Sequence, residues 1–109
     1  MGTLSDLTTQ EGIAAALAQP GLLLLEVYTP RCVICRRLEP MLAAVAAGTH
    51  GAVRAHKLDA EGHPDFAVDH AIRGVPTLLL FRDGRLVDRR SGFSTASVLR
   101  DWIAATARD

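Results

Sequence analysis

The 109-residue chain has no surplus of charge of either sign. Lys and Arg total 12, Asp and Glu total 12, and the formal net charge at pH 7 is zero. Gripping nucleic-acid phosphates needs an excess of cations, so no nucleic-acid partner is expected. Long hydrophobic runs are missing as well. No apolar stretch approaches the ~20 residues of a membrane span, and the leucine run Leu22 to Leu25 is strand-sized. No membrane partner is expected on that ground. Met1 to Gln10 carry Asp6 and no basic region ahead of an apolar block. A secretory signal is therefore not expected, and the cytoplasm is the expected setting. Long charged tracts are absent and 49% of all residues are hydrophobic, while 5% of all residues are aromatic, which excludes disorder. Lysine is nearly absent: Arg outnumbers it eleven to one, a bias that carries no functional reading. Cysteine is limited to Cys32 and Cys35. A bond between them would close a tiny loop, and loop-closure stabilisation grows with loop length. The pair is a poor staple and is better read as reactive or metal-binding chemistry.

The length predicts one domain spanning 1–109 with a core of its own. Ile13, Ala14 and Leu17 form a stripe that predicts a helix over Thr9–Ala18, with Thr8 or Thr9 as its cap, and Pro20-Gly21 breaks it. Leu22–Tyr28 reads as a central strand covered on both faces, with Glu26 as the exception inside it. Leu38, Met41, Leu42 and Val45 predict a helix from Cys32 to about Ala47, kinked at Pro40 and ended by Gly48. Arg36, Arg37 and Glu39 lie off that stripe. Ala52–Leu58 reads as a strand. Pro64 opens a short helix to about Ala71, and Thr77–Arg82 reads as a buried strand. Asp83-Gly84 is a two-residue hairpin signal, returning through Arg85–Arg90 as a charged sheet edge. Ser94–Arg108 closes the chain as a helix with Val98, Leu99, Trp102 and Ile103 on its apolar face and Ser94 as its cap. A short strand at Gly2–Leu4 completes the set. Early alternation implies parallel crossovers, and the last hairpin adds an antiparallel edge.

Cys32-Val33-Ile34-Cys35 stands where the central strand hands over to a helix. The first turn of a helix offers unpaired N–H groups and the positive end of the macrodipole. A thiolate at Cys32 is stabilised there, with Arg31 and Arg36 as nearby cations. Cys35, one turn on, is placed to attack a mixed disulfide formed on Cys32, the two-thiol arrangement of disulfide exchange.

With these residues the chain resembles the thioredoxin family from about Leu22 to Ile103. The resemblance rests on Glu26 in the central strand, Cys-x-x-Cys at a helix start, Pro40 five residues after Cys35, and Lys57 in the third-strand region. It continues in Arg73-Gly74-Val75-Pro76-Thr77 ahead of the strand, Asp83-Gly84 and Gly92. It implies an α/β fold, a thioredoxin-like three-layer sandwich with a central mixed β-sheet flanked by helices. It also implies that Cys32 is the attacking cysteine and Cys35 the resolving one. Pro76 matches a cis proline facing the pair, and the backbone of Val75 would pair with an extended substrate chain. Glu26 matches a buried acid beneath Cys35, with Lys57 as its basic neighbour. Burial raises a carboxyl pKa and suits it to accept the Cys35 proton; the plainer alternative is a carboxylate simply paired with Lys57. Arg31, Val33, Ile34, Val75, Pro76 and Gly92 would line the substrate groove, with Lys57 and Pro40 in support. Phe81 and Trp102 read as core, and Phe93 as a rim or loop-packing residue.

The chain also departs from the family. Arg31 replaces the usual Trp before the nucleophile, Val-Ile replaces Gly-Pro between the cysteines, and the buried acid is Glu rather than Asp. Ile34 would add an N–H donor where Pro has none. A better stabilised Cys32 thiolate would make the protein a stronger oxidant, above the low end of the range from about −270 to about −120 mV. Arg31, Arg36 and Arg37 are otherwise solvated charges. His50, His56, His63 and His70 are scattered, without ligand spacing near the cysteines, so no metal is expected. The expected function is a thiol-disulfide oxidoreductase that reduces protein disulfides. It would act as a monomer, without a bound cofactor, on electrons from a reductase protein of the thioredoxin-reductase type. The alternatives are a thioredoxin-fold interaction module or co-chaperone with little reductase activity, and a more oxidising oxidase or isomerase.

Overall fold

A computed structural model describes residues 4–107. The first strand, β1, is Ser5–Asp6 rather than Gly2–Leu4. It forms where the chain meets the edge of the third strand, opposite His56 and Lys57. Leu4 is buried ahead of it, and Gly2 and Thr3 lie outside the described residues. Helix α1 is Gln10–Ala18, capped by Thr9, whose hydroxyl accepts the Gly12 N–H at 2.9 Å. Then follow β2 (Leu22–Tyr28), α2 (Val33–Ala47), β3 (Val53–Asp59), α3 (Pro64–Asp69), β4 (Thr77–Arg82), β5 (Arg85–Ser91) and α4 (Ala96–Ala107).

α2 begins at Val33, one residue after the expected Cys32, and two other helix ends differ from the sequence expectation. α3 stops at Asp69 because Ala71 takes a left-handed conformation, φ 52°, and the Ile72 N–H turns back to the Ala67 carbonyl at 2.9 Å. α4 is capped by Thr95, not Ser94. The Thr95 hydroxyl accepts the Val98 N–H at 3.3 Å, whereas Ser94 is buried and its hydroxyl takes a hydrogen bond from Arg90. Pro40 lies inside α2 without ending it.

The strands form one mixed sheet in the order β1-β3-β2-β4-β5. β1, β3 and β2 are mutually parallel, and β4 runs antiparallel to both of its neighbours, β2 and β5. β2 is thus paired on both edges, and its two faces are covered by different layers. Leu24 packs with Leu38 and Leu42 of α2, Leu78 and Leu80 of β4, and Leu99 and Trp102 of α4. Leu23, Leu25 and Val27 pack with Ile13 of α1, Leu79 and Phe81 on the other side. An unbroken apolar run at Leu22–Leu25 follows from this double cover.

The β4–β5 turn uses Asp83 and Gly84, both with positive φ (51° and 81°). Glycine is required at the second position for a further reason: a Cβ there would meet the Leu17 carbonyl oxygen at 2.6 Å. The turn therefore presses directly on the end of α1.

Arginines from three strands close three helix C-termini, where the last carbonyls lack intrahelical partners. Arg54 of β3 donates to the Ala16, Gln19 and Pro20 carbonyls behind α1 (3.0, 3.2 and 3.1 Å). Arg89 of β5 donates to His70 and Ala71 behind α3 (2.8 and 3.2 Å). Arg82 of β4 donates to Thr106 in α4.

Candidate active site

The register brings four segments to one end of the sheet. Val27 of β2 lies opposite Thr77 of β4, Tyr28 opposite Asp59 of β3, and Thr77 opposite Ser91 of β5. The loop after Tyr28, the residues before Thr77 and the residues after Ser91 therefore share that end. They carry Arg31 and the cysteines, Val75-Pro76, and Gly92-Phe93.

Cys32 is the N-cap of α2. Its N–H donates to Thr29 O at 3.1 Å, and its Sγ accepts the Cys35 N–H at 3.1 Å. The sequence points to Ile34 as the added donor; the donor in the structure is the Cys35 amide, because a cap residue bonds the third helical N–H. Cys32 is half-buried and Cys35 is fully buried. The two are joined as a disulfide, Cα to Cα 5.2 Å. Arg36 donates through Nη1 to the Pro30 carbonyl at 2.9 Å and so braces the turn that presents Cys32. Arg31 and Arg37 are exposed.

The Val75–Pro76 peptide bond is cis. Pro76 is buried and Val75 half-buried. The Thr77 hydroxyl donates to the Gly74 carbonyl at 2.6 Å, and the Gly92 N–H donates to the Pro76 carbonyl at 3.0 Å. These bonds tie the proline loop to the segment that carries Phe93. Around this end, Val33, Ile34 and Phe93 are 54%, 50% and 50% exposed, an apolar surface with no packing role of its own.

Glu26 sits on the face of β2 covered by α2, and its side chain is wholly buried. No donor group reaches either of its carboxyl oxygens, and the neighbour positioned to accept a hydrogen bond from the protonated acid is the Glu39 carboxyl. Burial pushes its pKa up to about 9; the Glu39 carboxyl adds to the rise, and Lys57 offsets part of it. Lys57 stands opposite Glu26 in the β2–β3 register. Its ammonium is not paired with Glu26, however. It donates to Glu39 Oε1 at 3.1 Å and lies 4.8 Å from the centre of the Tyr28 ring. The Tyr28 hydroxyl in turn donates to Asp6 Oδ2, and burial together with that acid pushes the phenol pKa up.

Glu39 is therefore a member of this cluster that sequence reasoning missed. Off the leucine stripe, it reads as a solvent-facing charge. The signal that finds it is its distance from Cys35: four residues along α2 places it on the same face as the buried cysteine. The histidines are dispersed, and among the described residues no group of three or more His, Cys, Asp or Glu gathers at metal-binding distance. A cavity of about 360 Å3 between α2 and α4 lies beside Leu22 and Val53, at the opposite end of the sheet from the disulfide.

The thioredoxin family model matches residues 5–105. The chain is 35% identical to thioredoxin of Chlamydia trachomatis over 99 residues, covering 91% of this chain and 95% of that one. It is 32% identical to thioredoxin of Staphylococcus aureus over 85 residues, covering 78% and 82%. Protein disulfide-isomerase A3 of Gallus gallus is 36% identical over 93 residues; these are 85% of this chain and 18% of that much longer protein. Among solved structures, a thioredoxin mutant from Halobacterium salinarum superposes with a TM-score of 0.86 at 27% identity, covering 95% of this chain and 90% of that one. Mitochondrial thioredoxin 3 of Saccharomyces cerevisiae in its oxidised form shares the fold, with a TM-score of 0.80 at 24% identity and 94% coverage of each chain. With a Cys-x-x-Cys disulfide at the start of α2 and a family match over nearly its whole length, the chain belongs to the thioredoxin family and is a thiol-disulfide oxidoreductase.

Proposed function

We propose that the protein works as a reductase of protein disulfides, with Cys32 as nucleophile and Cys35 as resolving thiol. The observation that carries this reading is the asymmetry of the pair. Cys32 Sγ is at the helix cap, accessible and 3.1 Å from an amide donor, while Cys35 is fully buried behind it. A thiolate at Cys32 attacks a substrate sulfur, forming a mixed disulfide and releasing the other substrate sulfur as a thiolate. Cys35 then gives its proton to the Glu26 carboxylate and attacks Cys32. The Cys32–Cys35 bond forms, and the second substrate thiolate leaves with the electron pair. Burial raises the proton affinity of Glu26 well above that of an ordinary carboxylate, which suits it to accept a proton from a thiol.

Substrate would lie over Arg31, Val33, Ile34, Val75, Pro76 and Gly92, with an extended segment pairing to the Val75 backbone. Electrons would return from a protein reductase docking on the same surface. Trapping tests the reading. Cys35→Ser should accumulate a mixed disulfide with a disulfide-bonded substrate protein, and Cys32→Ser should form none. Adducts on Cys35 with Cys32→Ser, or no adduct with either variant, would reverse the assignment.

A second direction of flux has its own support. The cap amide at Cys32 and the similarity to a disulfide isomerase both favour a stable thiolate and hence a more oxidising pair. Equilibration with glutathione separates the two: a potential close to −180 mV or above, against about −270 mV, would mark an isomerase or oxidase.

A further inference from the structure

The oxidoreductase reading gives Glu39 no task. It projects from α2 on the face that also carries Cys35, and its Oε1 is held by Lys57 Nζ at 3.1 Å. Lys57 is also the register partner of Glu26. The Glu39 carboxyl is the side-chain hydrogen-bonding neighbour of Glu26 across the boundary between α2 and the sheet, and the Lys57 ammonium, bonded to Glu39, reaches Glu26 only through its charge. The two carboxyls differ in access to water. Glu26 is 0% exposed and receives a hydrogen bond from no donor, whereas the Glu39 side chain keeps 12% of its surface open. A proton on Glu26 has no direct way to bulk solvent; a proton on Glu39 does.

We propose that Glu39 is the proton outlet of Glu26, a positioning residue that empties the buried acid so that it can take the Cys35 proton. The proposal rests on the role given to Glu26 above. The proton on Glu26 passes to the Glu39 carboxylate and on to water, leaving the Glu26 carboxylate. That carboxylate takes the Sγ–H proton of Cys35 as the Cys35–Cys32 bond forms and the Cys32–substrate bond breaks. Electrons move only among the sulfurs, and each turnover returns one proton to solvent by this route.

Burial and the adjoining Glu39 hold the Glu26 proton to about pH 9, so at neutral pH the base form has to be made in each cycle. The charged and titratable groups around Glu26 are Glu39 from α2, Lys57 from β3, Asp6 from β1 and Tyr28 from β2 itself, and Cys35 lies one turn before Glu39 on α2. β4 contributes the neutral Leu78.

The test is the decay of the mixed disulfide between the reduced protein and a disulfide-linked peptide, followed by rapid quench at low buffer concentration over about pH 6 to 9. Glu39→Gln should slow decay near neutral pH by about tenfold, less than the 10² or more of a group touching the reacting atom. Added imidazole should restore it, and Glu39→Asp should stay within about threefold of the parent. Electrostatics alone give the opposite sign: removing the Glu39 charge lowers the proton affinity of Glu26 and speeds the step. Decay in Glu39→Gln that is unchanged or faster overturns the proposal. So does slow decay that imidazole does not restore, with Glu39→Asp equally slow, since that marks packing. Glu26→Gln separates the two claims. If it slows decay and Glu39→Gln does not, only the outlet fails. If Glu26→Gln has no effect, the role of Glu26 fails and the outlet with it.

Discussion

The two faces of β2 are built alike until their last turn. Toward α1 and α3, Leu23, Leu25 and Val27 are all buried hydrocarbon. Toward α2 and α4, Leu24 is followed by Glu26, equally buried and with no donor to its carboxyl oxygens. The strand positions are equivalent in exposure, so burial alone does not choose the side chain. A buried carboxyl that no donor reaches is a cost to folding, and the face that bears it is the one beneath the helix that begins at the cysteines. The scaffold face is optimised for packing, and the α2 face gives up packing for a group that titrates.

Three substitutions sharpen that contrast. The largest expected effect is on the scaffold face. Leu25→Ala should lower unfolding stability by about 2–5 kcal/mol, the range for a buried leucine truncation. Disulfide exchange measured well below the new melting point should be unchanged; a matching loss of exchange rate would erase the division between faces.

Glu26→Gln comes next and acts through pH. The folded pKa of Glu26, about 9, lies above its unfolded value of 4.5. Between those values the folded state holds a proton that the unfolded state has released, so stability is greatest below the unfolded pKa and falls as pH rises toward the folded one. Over pH 5 to 8 this amounts to at most about 4 kcal/mol. Denaturant unfolding of the oxidised protein and of Glu26→Gln across that span should show the slope in the parent only. Parallel profiles would mean that Glu26 is charged where it lies.

The smallest effect is local. Thr95→Ala removes the α4 cap and should cost about 1 kcal/mol, with no change in the pH slope. A cost within measurement error would show that packing of Leu99 and Trp102 alone fixes the start of α4.

Much of this was legible in the sequence because it depends on local chemistry. The apolar run and the Pro20-Gly21 and Asp83-Gly84 breaks delimit β2 and β4 to the residue and β5 to within one, since it runs on to Ser91. A Cys-x-x-Cys at a strand-to-helix junction places the disulfide at a helix cap. What was illegible depends on contacts between distant segments. The start of β1 is set by the edge of β3, and the α4 cap moved by one residue because Ser94 is engaged by Arg90. Lys57 has the register expected beside Glu26, yet its ammonium reaches across to α2 and pairs with Glu39. Only the way α2 lies on the sheet decides between two carboxylates of the same kind.

The arginine clamps have a practical consequence. A guanidinium fork spans two or three carbonyls at once, which an ammonium does not do with the same geometry, and the strands supply arginine to three helix ends. The chain's single lysine is left at the carboxyl cluster, with 24% of its side chain open. Among the side chains, an amine-directed reagent addresses Lys57 alone, so the protein carries a ready-made handle for a spectroscopic label beside Glu26 and Glu39.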